Sequence, residues 1–222
     1  MSENSRHVLL GSRSVEKGEK AVKELQSMNQ PGTVELLQVD VSSFDSVTKA
    51  AESVTKSHGK LDGLVNNAGV AFLGDIPLHE QMDICFRTNA IGAQIVGDAF
   101  ESLLEKSTGT PRIVNVSSGA GSIGRRLEPT SAIYKQSAIH YRASKAAMNM
   151  VSANQDCMLG DKGFKVFAYC PGFCVSNLSD MNKAENGAKP SSEGAKPIID
   201  ILEGKRDEEH GKFLHGEGQY PW

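Results

Sequence analysis

Two periodicities alternate along this chain, and that alternation limits its fold more than any other feature. Short apolar runs, the mark of strands buried on both faces, are separated by stretches whose apolar residues recur at helical spacing. "HVLLG" at 7–11 is followed by 15–28, where Val15, Ala21, Val22, Leu25 and Met28 repeat behind a charged face. "TVELLQVDV" comes next, then an amphipathic stretch carrying Phe44, Val47, Ala50 and Val54, with Ser42 and Asp45 spaced as a capping box. "KLDGLVNNAG" precedes a long helical stretch from about 79 to 105, which leads into "PRIVNVSS". A helix over about 140–159, the run "FKVFAYCPG", a short helix near 192–203 and the strand-like "GKFLH" complete the series. Strand and helix in turn predict an α/β fold: a doubly wound parallel sheet, Rossmann-like, with helices on both faces.

The 222 residues, 39% of them hydrophobic, suffice for a single domain with one core. No internal repeat interrupts it. The one shift in composition, 179–195, is rich in Ser, Asn, Gly and Lys and reads as a mobile loop within the domain. A net charge of -3 removes the broad basic surface that nucleic acid or an anionic membrane would require. No apolar run approaches the roughly 20 residues of a membrane span, and no apolar signal region opens the chain, so a soluble cytoplasmic protein is expected. Cys85, Cys157, Cys170 and Cys174 lack the spacing of a zinc knuckle or a disulfide framework and read as reduced thiols.

In such a sheet, ligands bind at the carboxyl ends of the strands, which directs attention to the residues just after each apolar run. Asn66-Asn67-Ala68-Gly69 follows the third run, and alone it is a tight turn. Ser117-Ser118 follows the fourth, and alone it is a pair of capping hydroxyls. In "YRASK", Tyr141 and Lys145 are four apart and share a helical face, a pairing that chance also produces. "CPGFCVSNL" follows the fifth run. The weight lies in the conjunction, because all of them occur in order, each at a strand end or the start of the following helix.

On "NNAG", "VSS", "YRASK" and "CPGFCVSNLS", the chain from about His7 onward resembles the short-chain dehydrogenase/reductase family. The resemblance implies that Tyr141 is the general acid or base at the substrate oxygen. Lys145 would supply the cation that stabilises its phenolate and would hold the nicotinamide ribose. Ser118 would hydrogen-bond the substrate oxygen, and Asn89, in "RTNAIG", would help hold a proton-relay water. Asp40 and Val41 fall where the family contacts adenine, while Asn67, Ala68 and Gly69 would line the ribose side. Pro171, Gly172, Cys174 and Ser176 match the segment that closes over the nicotinamide amide. At the end of the second strand an acid favours NAD and an arginine receives the 2′-phosphate of NADP. Here Gly11-Ser12-Arg13 stands with no acid before Glu16, so Arg13 points to NADP(H).

The family's glycine-rich phosphate turn lies between its first strand and first helix, yet six residues precede His7 and no glycine precedes Gly11. The chain therefore reads as N-terminally incomplete, short of one βα unit of roughly 30 residues. That strand is central in the family's sheet, so two unpaired edges and marginal stability are expected. Two readings remain open. One is an NADP-dependent carbonyl reductase or alcohol dehydrogenase acting on a small-molecule carbonyl or alcohol. The other is a non-reducing relative, serving as a binding or regulatory module or as a cofactor-independent isomerase or cyclase. Between Ser118 and Tyr141 a loop with Arg125, Arg126 and Tyr134 is either a solvated basic loop or a receptor for an anionic or polyphenolic substrate. The stretch 179–195 would be a substrate lid, and association into a homo-oligomer through the long helices is expected by family analogy.

Overall fold

Strands β1 (His7–Ser12) and β2 (Thr33–Gln38) pair in parallel, from His7 beside Thr33 to Ser12 beside Gln38. Helix α1 (Val15–Ser27) connects them, and the Ser14 hydroxyl accepts the Lys17 N–H at its start. The computed structural model describes residues 6–71, 74–131, 134–135, 137–216 and 218–222. Helix α2 (Phe44–Ser57) follows β2, but its cap is Ser43 rather than Ser42, with the Ser43 Oγ accepting the Ser46 N–H at 3.3 Å. Ser42 is unavailable for the expected box because both its N–H and its hydroxyl donate to Asp40 Oδ1, at 2.9 and 2.6 Å. That Asx turn shifts the helix start by one residue.

A second sheet holds β3 (Gly63–Asn66), β4 (Arg112–Val116), β5 (Lys165–Cys170), β6 (Phe213–His215) and β7 (Gly218–Gln219) in that order. All its pairs are parallel except β6 with β7. The long helical stretch is one rod: α3 (Leu78–Phe86), a π-helical turn at Arg87–Ile91, and α4 (Gly92–Leu104). Short α5 (Ile123–Leu127), long α6 (Ile139–Leu159) and α7 (Ser191–Leu202) follow. The stretch 179–195 is therefore not loop throughout, since its last five residues open α7 behind Pro190, whose fixed φ suits a helix entry.

The two sheets share a core without sharing a hydrogen-bond ladder. Val47, Ala50 and Val54 of α2 pack against Val96, Phe100 and Leu103 of α4. Leu9 and Leu37 reach this cluster from the two-stranded sheet, and Leu64 reaches it from β3. Among the described residues, β1 pairs only with β2 and β3 only with β4, so each keeps one open edge. An ion pair, Arg6 with Glu203, joins the start of β1 to the end of α7.

Candidate active site

Chain entry into α6 sets the first two candidates. Ala138 precedes the helix at φ 70°, a left-handed conformation that costs an alanine about 1 kcal/mol. From there Tyr141 and Lys145 project one helical turn apart. Ser118 ends the segment after β4 and caps a short 3-10 turn, Gly119–Gly121, by accepting the Ala120 N–H at 3.2 Å. Its hydroxyl is near enough to the Tyr141 phenol to influence its titration. Burial pushes that phenol up to about 12, and the nearby Ser118 hydroxyl acts in the opposite sense. Lys145 is 4% exposed. Burial pulls its ammonium down to about 8. The Nζ donates to the Val116 carbonyl at 2.7 Å and lies 6.0 Å from the centre of the Tyr141 ring. The buried ammonium thus satisfies itself on a strong backbone acceptor at the end of β4 while staying close to the Tyr141 ring.

Asn89 is fully buried in the π-helical turn. Its Oδ1 accepts the Val70 N–H and its Nδ2 donates to the Val70 carbonyl, both at 2.8 Å, with a further bond to Ser144 Oγ at 2.9 Å. The side chain therefore clamps the segment after the Asn67–Gly69 turn to α6. Asn67, Ala68 and Gly69 are exposed. A Cβ on Gly69 would sit 3.6 Å from Lys145 Nζ and 3.4 Å from Asn89 Oδ1, so the bare glycine keeps open the space above both.

Behind these groups the described residues carry polar contacts that no motif announced. Asn66 donates to Asn115 Oδ1 and Asn115 to Gln155 Oε1, both at 2.8 Å, which links β3, β4 and α6. Ser117 donates to Asn149 Oδ1 at 2.5 Å. The Cys170 Sγ accepts the backbone N–H of Gly119 at 3.1 Å and of Gly172 at 3.4 Å, tying the Ser118 segment to the Pro171 turn. In that turn, Gly172 has φ 81° and Cys174 Sγ donates to the Pro171 carbonyl at 3.2 Å. A bridge between Cys174 and Lys189 steadies the following chain, and the Ser176 Oγ accepts the Leu178 N–H. All four cysteines are free thiols.

The segment Gly218–Trp222 also touches the site, although "GQYPW" has no counterpart among general motifs. Tyr220 stacks on His215 at 4.0 Å, and Arg125 lies 4.2 Å over its ring. Ser122 Oγ donates to the Pro221 carbonyl at 2.6 Å, and the Gly124 N–H donates to the Trp222 carbonyl at 2.9 Å. Together these hold the chain that follows Ser118. A hollow of about 190 Å³ between Ala120–Ile123 and Arg126, Arg142 and Ala143 adjoins the site without including Tyr141. Part of the loop expected to border it, 132–133 and 136, lies outside the described residues.

Arg13, Asp40 and Val41 stand apart from this group, at the end of the two-stranded unit. Arg13 is exposed and close enough to Asp40 to help lower its carboxyl, although hydrogen bonds from Ser42 contribute more. The sequence-derived residues thus divide in two. Ser118, Tyr141, Lys145, Asn89 and Gly69 come together, with Pro171–Ser176 joined to them through Cys170, and the adenosine-side residues form a second group.

Parallel strands alternating with helices, with hydroxyl, phenol, amine and amide groups gathered beyond the strands' carboxyl ends, define an α/β architecture of the Rossmann kind. Residues 1–187 match the family described as short chain dehydrogenase. The chain belongs to that family. It is 32% identical to the short-chain dehydrogenase/reductase tropE of Talaromyces stipitatus, covering 96% of this chain and 86% of the relative. It is 36% identical to the short-chain dehydrogenase anuI of Penicillium roqueforti, covering 95% and 84%. The NADPH-bound carbonyl reductase from chicken fatty liver shares the fold with a TM-score of 0.77 at 23% identity, covering 98% and 86%. Carbonyl reductase Sniffer of D. melanogaster does so with 0.77 at 21%, covering 100% and 90%. No described helix is long and apolar enough to cross a membrane.

Proposed function

We propose that this chain is an NADP(H)-dependent carbonyl reductase or alcohol dehydrogenase for a small-molecule substrate, with Ser118, Tyr141 and Lys145 handling the proton. The observation that carries the reading is the gathering of three groups: the Ser118 hydroxyl near enough to the Tyr141 phenol to influence its titration, and a buried Lys145 with Nζ 6.0 Å from the centre of the phenol ring. A nicotinamide held by these residues would supply hydride to the substrate carbon, or accept it in the reverse direction. Ser118 donates a hydrogen bond to the substrate oxygen, holding it against the phenol. As that oxygen gains charge during reduction, Tyr141 gives it the phenolic proton and the carbonyl becomes an alcohol. A phenol that titrates near 12 is fully protonated at neutral pH, the state a proton donor needs. In the reverse direction the phenolate needs a cation, and a turn of the Lys145 side chain away from Val116 brings one. Asn89 acts as a positioning residue through its clamp on Val70.

The residues present fit two ends of a dinucleotide. The open space over Gly69 and Lys145 suits the nicotinamide ribose, flanked by Asn67 and Ala68, with Pro171, Gly172, Cys174 and Ser176 on the amide side. Exposed Arg13 suits a 2′-phosphate, and Asp40 and Val41 suit the adenine. The stretch 179–195 would close over the substrate. Exposed Ile84, Ile91, Ile139 and Met150 on the α3–α4 rod and α6 support association of copies along these helices.

An NADPH titration followed by nicotinamide fluorescence, with NADH in parallel and circular dichroism as a folding check, separates the readings. Saturable NADPH binding above NADH, with carbonyl turnover that falls at least about 100-fold in Tyr141→Phe while binding persists, is the expected result. A folded chain that binds neither nucleotide overturns it.

A further inference from the structure

We propose that His7, Glu35 and His58 form a binding site for a zinc-like divalent transition-metal ion. The site lies by the amino ends of β1 and β2, away from Arg13 at the carboxyl end of β1 and from Tyr141 on α6. It is independent of the reductase reading.

Register places the first two ligands together. His7 pairs with Thr33, and the two-residue period of a strand puts Glu35 on the same face. Helix α2 ends beside them, with His58 as its C-cap. Glu35 Oε1 is 2.7 Å from His58 Nε2 and 3.6 Å from His7 Nε2, and the three donor atoms all lie within 4.8 Å of one another. A tetrahedral zinc with bonds of about 2.0–2.2 Å spaces its donors about 3.3 Å apart, so side-chain rotations of about 1 Å complete the set. The imidazole rings are 5.1 Å apart and tilted by 44°, which lets both nitrogens face one point beside the carboxylate.

A further contact orients His7. Its Nδ1 is 2.6 Å from Thr33 Oγ1, and with the proton on Nδ1 the Nε2 lone pair is left for a metal. Such an outer partner is a regular companion of metal-bound histidine. A Glu35–His58 ion pair alone accounts for two of the groups but not for the anchored third. The carbonyl end of α2 adds a favourable negative field for a cation. Side-chain exposures of 42% for His7, 50% for Glu35 and 27% for His58 leave a fourth position open to water. Two imidazoles and one carboxylate suit zinc, cobalt or nickel better than the hard cations calcium and magnesium. A bound ion would tie β1, β2 and α2 together.

The test titrates ZnCl2 and CoCl2 into the full chain without a polyhistidine tag, by calorimetry and visible absorption, beside Cys157→Ser, because Cys157 is the exposed free thiol. One equivalent of bound zinc, unchanged in Cys157→Ser, is expected, with a tetrahedral cobalt spectrum free of sulfur charge transfer. His7→Ala and His58→Ala should each lower the affinity at least tenfold, and Thr33→Val by about tenfold through its outer contact. Circular dichroism confirms that these surface variants fold, and Glu35→Gln supplies a near-isosteric variant with the same expected loss. No saturable binding, binding that survives His7→Ala/His58→Ala, or binding removed by Cys157→Ser overturns the proposal.

Discussion

Lys145 Nζ donates a 2.7 Å hydrogen bond to the carbonyl of Val116, the last residue of β4. The amine is thereby turned toward the sheet, with the Tyr141 ring centre 6.0 Å away. This contact connects the site's chemistry to the stability of the fold, since a buried amine resists protonation.

The sign of the pH dependence follows. Lys145 holds its proton more weakly when folded, at about 8 against 10.5, so stability rises with pH between those values. Tyr141 holds its proton more tightly, at about 12 against 10.0, so stability falls from pH 10 toward 12. At about 1.4 kcal/mol per pH unit, the fall from 10.5 to about 8 gives Lys145 a cost of at most about 3 kcal/mol at neutral pH. Lys145→Met should gain up to that amount at pH 7 and flatten the rise toward pH 10. Urea denaturation at a series of pH values reads both, and an unchanged slope in the variant would remove Lys145 as the cause.

Two glycines should respond oppositely to alanine. A Cβ on Gly121 would lie 2.6 Å from the Lys145 carbonyl carbon and 2.8 Å from Lys145 Cβ, where α6 backbone has no room to yield. A loss of about 2–4 kcal/mol is expected for Gly121→Ala in thermal denaturation. Gly69→Ala meets Asn89 Oδ1 at 3.4 Å, Lys145 Nζ at 3.6 Å and the Asn67 carbonyl oxygen at 3.9 Å, all ordinary contacts, so stability should stay within about 0.5 kcal/mol. The same methyl fills the space above Lys145 and should weaken NADPH binding about tenfold. Equal losses of stability in both variants would contradict this.

Tyr220 lies in a stack, with His215 4.0 Å and Phe213 5.5 Å from its ring centre and Arg125 at 4.2 Å. Tyr220→Ala should cost about 2–3 kcal/mol, while Tyr220→Phe, which keeps the ring, should retain most of it. Because Arg125 follows Ser118 by a short segment, turnover should fall more than NADPH affinity in the alanine variant. Paired calorimetry and kinetics check both.

Arg13→Asp should lower NADPH affinity at least tenfold and leave NADH affinity within a few-fold, by exchanging a phosphate partner for a repelling carboxylate. Parallel fluorescence titrations decide it. Equal effects on the two nucleotides would assign Arg13 to the solvated surface.

The succession of strands and helices was legible because each element carries its own period, as in Val47, Ala50 and Val54 of α2. Tyr141 and Lys145 were legible for the same local reason, four residues apart on one helix. Contacts set by tertiary packing were not. Asn66, Asn115 and Gln155 come from three elements, and nothing in their sequence spacing marks them as a chain of buried amides. The cap at Ser43 escaped because Asp40 competes for Ser42, and the direction of Lys145 escaped because it depends on a carbonyl of a distant strand. Tyr220 and Arg125 meet across 94 residues, a distance over which periodicity carries no information.

The division of the sheet has a dynamical consequence. The β1–α1–β2 unit adheres to the body through Leu9, Leu37, the α2–α4 cluster and the Arg6–Glu203 ion pair, so among the described residues it can detach by giving up apolar contact and that pair without breaking an inter-strand hydrogen bond. Its amides belong to a less protected cooperative unit and should exchange for deuterium earlier than those of Ile113–Val116 or Val166–Tyr169. Whatever bridges Arg13 and Lys145 would join two separately opening bodies into one.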